Sequence, residues 1–242
     1  MPSHLLRHAH GLSITGHPWL LGLVDVGTGF WLVLYVLAII EGFRRHTYAV
    51  PLVAIAANFS WELIAAVYRV APVALWHVGD ILWLGLDAPI VCTLLIYGRD
   101  RQTIPEIRRG FYPLLALTFA MALVTQLGLE QALDDQWGFL DAYLISVMMS
   151  ILFFFMYFAR RAHSDIDYAI AWCKFFGNGL TSAGFVWLFP LLGGPLKSRL
   201  LLYWLCAANC ALDAGYVALL ARSRRVAGEA LAVSSSRSAS VT

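Results

Sequence analysis

Asn58 and Glu62 stand four residues apart within the apolar run VPLVAIAANFSWELIAAVYRVAP at residues 50–72, and Asn209 and Asp213 repeat that spacing in ANCALD. A separation of four puts both members of each pair on one helix face, a turn apart. Lys174 and Asn178 are related in the same way, and Asp80 and Asp87 lie two turns apart with Trp83 between them. A charged residue at mid-bilayer costs about 2.5–3.5 kcal/mol even on the lenient insertion scale, so such groups are expected to face the interior of a bundle. With Asp25, the chain sets five acids at membrane depth against the one lysine, Lys174. One lysine compensates one carboxylate, and desolvation is expected to keep at least one of the others protonated. A neutral carboxylic acid in a dry pocket is a poised general acid. Glu62 and Asp213 read as functional in this sense and are expected to border one internal cavity, whereas Asp25 and Asp80 read as structural ion-pair or hydrogen-bonding groups. Asp87, beside Ala88-Pro89 at an expected kink, fits either role.

Aromatic residues are the second signal. The chain has 9 Trp, 10 Tyr and 14 Phe, and several adjoin the polar positions: Trp61, Tyr68, Trp83, Phe175 and Tyr216. Desolvated aromatic faces attract cations, so proton donors in an aromatic-walled pocket describe a site that makes and guides a carbocation. The same ingredients also build a proton relay, and a proton-coupled membrane transporter is the alternative reading. Trp19, Trp31, Trp76 and Trp137, near span ends, read as interfacial anchors.

The elements that must carry these groups follow from composition. Sixty per cent of the 242 residues are hydrophobic and 13% charged, with a mean hydropathy of +0.70, where a soluble domain carries about 25% charged residues. Apolar runs near 20 residues long match the roughly 30 Å hydrocarbon core. The sequence predicts an all-α bundle of seven transmembrane helices, near 19–40, 48–69, 74–97, 111–130, 138–158, 169–191 and 200–220. Three parts are expected: a short polar N-terminal segment (1–18), the membrane domain (19–220) and a flexible cytoplasmic tail (221–242). With the N-terminus outside, twelve arginines fall on the cytoplasmic side and four basic residues on the other, as the positive-inside rule requires. This makes the chain a multi-pass protein of the cell membrane with a cytoplasmic C-terminus. The N-terminus lacks a signal-peptide pattern, so the first span is expected to be retained.

Several chemistries lack their signatures. Span seven has no lysine for a retinal Schiff base, and no H-E-x-x-H, D-D-x-x-D, G-x-G-x-x-G or P-loop occurs. Asp134 and Asp135 in QALDDQW have no second acidic cluster to complete a diphosphate site. The cysteines, Cys92, Cys173, Cys206 and Cys210, form no CxxC. Neither metal nor cofactor is expected, and no nucleic-acid signal is present.

Four segments, NFSWELIAAVY (58–68), WLGLDAP (83–89), WCKFFGNG (172–179) and NCALDAGY (209–216), together with length and span count, resemble the membrane-bound terpene cyclases of fungal meroterpenoid and indole-diterpene pathways, the paxilline and pyripyropene types, and their bacterial drimentine-type relatives. The resemblance covers roughly residues 15 to 220. It implies cyclisation of a linear prenyl chain, farnesyl-like and attached to an aromatic or indole partner, without metal or diphosphate release, in terpenoid secondary metabolism. It assigns initiation, by protonation of a terminal alkene or epoxide, to Glu62 and Asp213. Asn58 and Asn209 would orient these acids, with Asp87, Lys174 and Asn178 as further polar groups of the pocket. Trp61, Tyr68, Trp83, Phe175 and Tyr216 would bind the substrate and stabilise cations. Lys174 is expected to pair Asp87 or another acid; if that acid is Asp213, the proton donor must be Glu62. The expected partners are the lipid bilayer, a hydrophobic prenylated substrate and a pathway prenyltransferase or epoxidase.

Overall fold

Long apolar stretches punctuated by Gly, Pro and charged turns fold as helices throughout the described part of the chain. The computed structural model describes residues 16–69, 74–135, 137–159, 165–192 and 196–239, with side chains to Val226 in the last helix. Residues 1–15, most of the expected N-terminal segment, and Arg160 and Arg161 of the charge count lie outside the described residues.

Among the described residues seven long helices follow one another: α1 (Pro18–Arg44), α2 (Leu52–Val67), α3 (Ala74–Tyr97), α4 (Phe111–Leu133), α5 (Phe139–Ala159), α6 (Asp165–Leu191) and α7 (Leu196–Ala239). A short helical segment, Pro105–Arg109, sits in the basic connection before α4. The chain is an all-α, multi-pass membrane bundle. Among the described residues five helices are long and apolar enough to cross a bilayer: α1, α3, α4, α5 and the Leu196–Val226 part of α7. Helix α2 is apolar but only 16 residues long, since Pro51 at its N-cap lacks a donor and delays its start relative to the expected 48–69. Helix α6 has 27 residues, but its polar groups at Asp167, Lys174 and Asn178 lower its apolar content. Helix α7 runs on to Ala239 where a flexible tail was expected from 221; the Ala, Leu, Arg and Glu content of this stretch favours helix. Pro89 lies inside α3, which continues as helix on both sides of it.

Close backbone approach fixes the pairing of α1 with α6. A Cβ on Gly27 would stand 2.8 Å from Thr181 N, one on Gly177 would meet Trp31 at 2.8 Å, and one on Gly184 would meet Val24 at 2.6 Å. Small residues at this seam let two membrane helices touch backbone to backbone, and the contact turns Trp31 and Lys174 inward.

Two apolar layers result. One contains Leu34, Ile55, Leu94, Phe153 and Leu220; the other contains Leu20, Leu140, Leu188 and Leu202. The polar side chains of interest occupy the level between them, while Val36, Ile40, Leu117 and Val124 face outward. At the α4–α5 turn the adjacent aspartates act as caps. Asp134 takes the left-handed conformation that ends α4 (φ 52°). Asp135 accepts hydrogen bonds from the N–H groups of Phe139 (3.1 Å) and Asp141 (3.0 Å), satisfying donors that open a helix. Burial pushes the Asp135 carboxyl up, and these backbone bonds partly offset the shift.

Candidate active site

A cavity of about 530 Å³ opens among α1, α2, α3, α5 and α6, within the size range of small-molecule sites. It opens between α1 and the first two to three turns of α3, where Asp25, Gly29, Leu75, Val78 and Leu82 are exposed. Its inner end is bounded by Tyr35, Asn58 and Met149. Trp31, Trp61, Trp76 and Trp83 all contribute to its wall. Three carboxyl groups, Asp25, Glu62 and Asp80, line it, and among the described residues no lysine, arginine or histidine does.

Glu62 is buried on α2, and its Oε2 has no hydrogen-bond partner. One turn away, Asn58 uses Nδ2 as a double donor, to the Tyr35 hydroxyl and to Asp87 Oδ2 at 3.0 Å. The Tyr35 hydroxyl also interacts with the Glu62 carboxyl. Asp87 is fully buried, its Oδ1 unpartnered, behind the lining residues. Glu62, Asn58, Tyr35 and Asp87 thus form one polar centre joining α1, α2 and α3.

A second polar centre joins α5, α6 and α7. Lys174 Nζ lies 2.8 Å from Asp213 Oδ1 and donates to Ser150 Oγ at 2.5 Å. Asp213 also accepts from Ser150 Oγ (2.8 Å) and from Asn178 Nδ2 (2.6 Å). Asn209, one turn from Asp213, donates Nδ2 to Tyr143 O at 3.4 Å. The ammonium stands 5.7 Å from the Trp31 ring centroid, within cation–π range.

The two centres touch the cavity differently. Glu62 lines it, whereas Asp213 does not; Asn178 is in the wall and stands in front of Asp213. The expectation that both acids border one cavity is therefore corrected: the α6 side chains take up Asp213 before it reaches the chamber. No hydrogen bond joins Glu62 to Asp213 among the described residues.

The aromatic set divides as well. Trp83 lines the cavity with its Nε1 buried and unpartnered. Trp61 lines it with a fixed ring, since Nε1 donates to Gly138 O (2.9 Å) and the Arg69 guanidinium lies 4.6 Å from its centroid, itself ion-paired to Glu130. Gly138 has φ +70°, and a Cβ there would run into that guanidinium. Tyr68 follows the end of α2 and is 78% exposed, so it does not belong to the pocket. Phe175 packs on Trp172 and Phe176, and Tyr216 on Phe153 and Phe154, both in the inner apolar layer away from the cavity. Trp31 and Trp76 are cavity-wall residues and Trp137 is buried, which corrects their reading as interfacial anchors; Trp19 is 60% exposed.

Tyr35, Ser146 and Ser150 escaped sequence reasoning. The serines are spaced four apart on α5, a weak signal by itself, and Tyr35 sits in a run of apolar residues with nothing to mark its hydroxyl. Among the described residues no group of three or more His, Cys, Asp or Glu side chains is arranged to hold a metal ion.

The model of the Pyr4-like transmembrane terpene cyclases matches residues 17–226. Among curated proteins, terpene cyclase ascF of Acremonium egyptiacum is 32% identical over 92 residues, 38% of this chain and 33% of that protein. Pyr4-family terpene cyclase mfmH of Annulohypoxylon moriforme is 24% identical over 169 residues, 69% of each chain. Terpene cyclase andB of Emericella variicolor is 24% identical over 210 residues, 82% of this chain and 86% of its own. The chain thus spans a third of the Acremonium protein and more than two thirds of the other two. No solved structure matches the chain.

Proposed function

We propose, for a chain that belongs to the Pyr4-like transmembrane terpene cyclases, that it cyclises a linear prenyl chain carried on an aromatic or indole partner by proton-initiated carbocation chemistry in the 530 Å³ cavity. Glu62 is the proton donor. One observation carries this role: its carboxyl lines an aromatic-walled chamber with one oxygen free of hydrogen bonds, whereas Asp213 is tied to Lys174.

The prenyl chain, farnesyl-like in length, enters tail first through the mouth between α1 and α3, and the aromatic partner stays near the mouth. Glu62 delivers its proton to the terminal alkene carbon or epoxide oxygen. The cation formed is attacked by successive double bonds, each ring closure moving the charge along the chain. The Trp31, Trp61 and Trp83 faces stabilise the moving charge, and the apolar wall keeps water from capturing it. Asp213, ion-paired to Lys174, holds Asn178 in the wall and does not donate.

Tyr35 is a positioning residue for Glu62. Because Asn58 Nδ2 donates to the Tyr35 oxygen and to Asp87, the hydroxyl hydrogen of Tyr35 is left for the carboxyl beside it. The proton of Glu62 then sits on the other oxygen, toward the cavity.

The charge distribution supports seven passes with the N-terminus outside and the C-terminus cytoplasmic. Helix α2 reaches about 24 Å and α6 about 40 Å at 1.5 Å per residue, so α2 crosses only where the bilayer thins or its flanks complete the span. A C-terminal reporter enzyme active only in the cytoplasm tests this, and an inactive, well-expressed fusion sinks it.

The function is tested with purified protein in detergent, without a gradient, on a farnesylated indole and its terminal epoxide. A cyclic product of unchanged mass is expected; intact substrate with both probes overturns the reading. In the same assay Tyr35→Phe is expected to lower kcat about ten- to a hundredfold at nearly constant KM, the size of one lost hydrogen bond to a charged or reacting group. A change confined to KM would remove Tyr35 from this role.

A further inference from the structure

Proton-initiated cyclisation needs a base at its end as well as an acid at its start, and the polar groups around the chamber differ in their access to it. Asp213 stands behind Asn178 in an ion pair. Asp87 is taken up by Asn58 and does not line the cavity. Asp25, at the mouth, accepts from Trp76 Nε1 at 3.2 Å and is exposed. Asp80 is different: it is buried and lines the chamber together with Glu62.

The register of α2 against α3 shows where Asp80 stands. The Asn58–Asp87 hydrogen bond fixes this antiparallel pair, so residues whose numbers sum to about 145 face each other. Glu62 is therefore opposite Trp83, and Asp80 lies three residues further toward the mouth, about 4.5 Å along the axis. During cyclisation the charge moves in this same direction. It starts at the prenyl tail, beside Glu62, and each ring closure carries it toward the end that bears the aromatic partner. A carboxylate one turn mouthward of the acid lies beside the last cation, not the first.

We propose that Asp80 is the terminating base of the reaction. The inference rests on the reading of Glu62 as the initiating acid. In the alkene case the Glu62 O–H proton forms a C–H bond with the terminal carbon, using the π pair of that double bond. Each following π pair becomes a ring C–C bond and leaves a new tertiary cation. A C–H bond next to the last cation breaks, its electron pair becomes the new C=C bond, and the proton goes to an Asp80 oxygen. One proton has entered and one has left, so the product is an isomer of the substrate. The catalyst is reset when the proton on Asp80 returns to Glu62, one turn away across the α2–α3 interface. No oxidant, reductant or further reactant is consumed. The aromatic ring of Trp83, opposite Glu62 and three residues from Asp80 on α3, lines the same wall and covers the cation along that path.

The inference predicts a change in product identity more than in rate, because a terminating base acts after the committed step. Full-length protein in detergent is given the farnesylated indole, and products are resolved by mass and NMR. In a single turnover, with enzyme in excess of substrate so that no resetting is needed, Asp80→Asn is expected to consume substrate while the native cyclic alkene falls below half of the product. Alkene isomers and a water-captured tertiary alcohol are expected to make up the remainder. A single unchanged product from Asp80→Asn overturns the proposal. So does a folded variant that consumes no substrate, since that result moves Asp80 to the initiating step or to its support. If Asp80→Asn does not yield monodisperse protein, Asp80→Glu replaces it; moving the carboxylate by one methylene is expected to shift the position of the new double bond, and an unshifted product overturns the proposal. Failure of the wild-type protein on both the alkene and the epoxide refutes the cyclase reading itself and removes the role of Asp80 with it, an outcome distinct from an unaltered Asp80→Asn product.

Discussion

Glu62→Gln is expected to lower cyclisation by about a thousandfold or more while leaving the protein as stable as the wild type. General acid catalysis contributes roughly 10²–10⁴ to a rate, and here protonation is also what creates the electrophile, so nothing else in the chamber substitutes for it. The amide has nearly the shape of the carboxylic acid and still accepts a hydrogen bond from Tyr35, but it has no acidic proton to give. Since Glu62 Oε2 has no hydrogen-bond partner and no cationic side chain lines the cavity among the described residues, the substitution breaks no ion pair there. Burying a neutral amide in place of an acid is not expected to unfold the bundle. The check is a rate measurement on the farnesylated indole alongside a thermal melt of the same detergent sample. Cyclisation within tenfold of wild type by a folded Glu62→Gln protein would refute the assignment. Loss of both activity and stability would instead point to a structural acid.

The residues that stood out in the sequence were those costly to place in a membrane. Asn58, Glu62, Lys174, Asn178, Asn209 and Asp213 were conspicuous because apolar runs surround them, and all six are polar members of the two centres. Helical spacing also put the members of each pair in one polar centre, although Asn58 bonds to Tyr35 and Asp87, and Asn209 to Tyr143, rather than to the acid one turn away that each was expected to orient. What spacing does not supply is which helices meet. The partition into an α1–α2–α3 centre and an α5–α6–α7 centre depends on tertiary packing, including the Gly27, Gly177 and Gly184 seam. Nothing in a single run encodes that seam as an address, so Asp213 and Glu62 were expected in one chamber. Tyr35 and Ser150 were illegible for a related reason: tyrosine and serine occur on any helix face, and their role appears only when a partner from another helix arrives.

Neighbours in sequence misled where helix ends and rotation decide. Tyr68 is six residues beyond Glu62, but α2 ends at Val67 and the ring swings outward. Phe175 adjoins Lys174, yet consecutive helical residues are about 100° apart, so inward-facing Lys174 sends Phe175 to the Trp172–Phe176 cluster. Asp80 shows the converse. Its place near a helix end suggested a structural role, but α3 begins at the cavity mouth and brings Asp80 into the chamber wall. Span counting met a physical limit of the same kind, since the inward polar face of α6 that builds a site also lowers its apolar content as a membrane segment.

Lys174→Met and Asp213→Asn, made singly, are each expected to destabilise the protein by about 3–5 kcal/mol, the cost of leaving one member of a buried ion pair uncompensated. Both side chains are 3% exposed and their charged atoms stand 2.8 Å apart, so solvent does little to relieve the survivor. The double variant is expected to lie much closer to wild type, within about 2 kcal/mol, because removing both charges removes the uncompensated one. An asparagine at 213 also keeps an oxygen to accept from Ser150 or Asn178, which limits the number of polar groups left without partners. Unfolding in mixed micelles, read as a double-mutant cycle, gives the coupling directly. Additive single effects would mean that the pair is not a unit. The same variants divide the roles of the two acids. If Asp213 is an anchor paired to Lys174, the double variant retains a large part of its cyclisation rate once it is folded, with losses traceable to a displaced Asn178. If the double variant is stable yet catalytically dead while Glu62→Gln remains active, the proton comes from Asp213, and Lys174 governs when it is released.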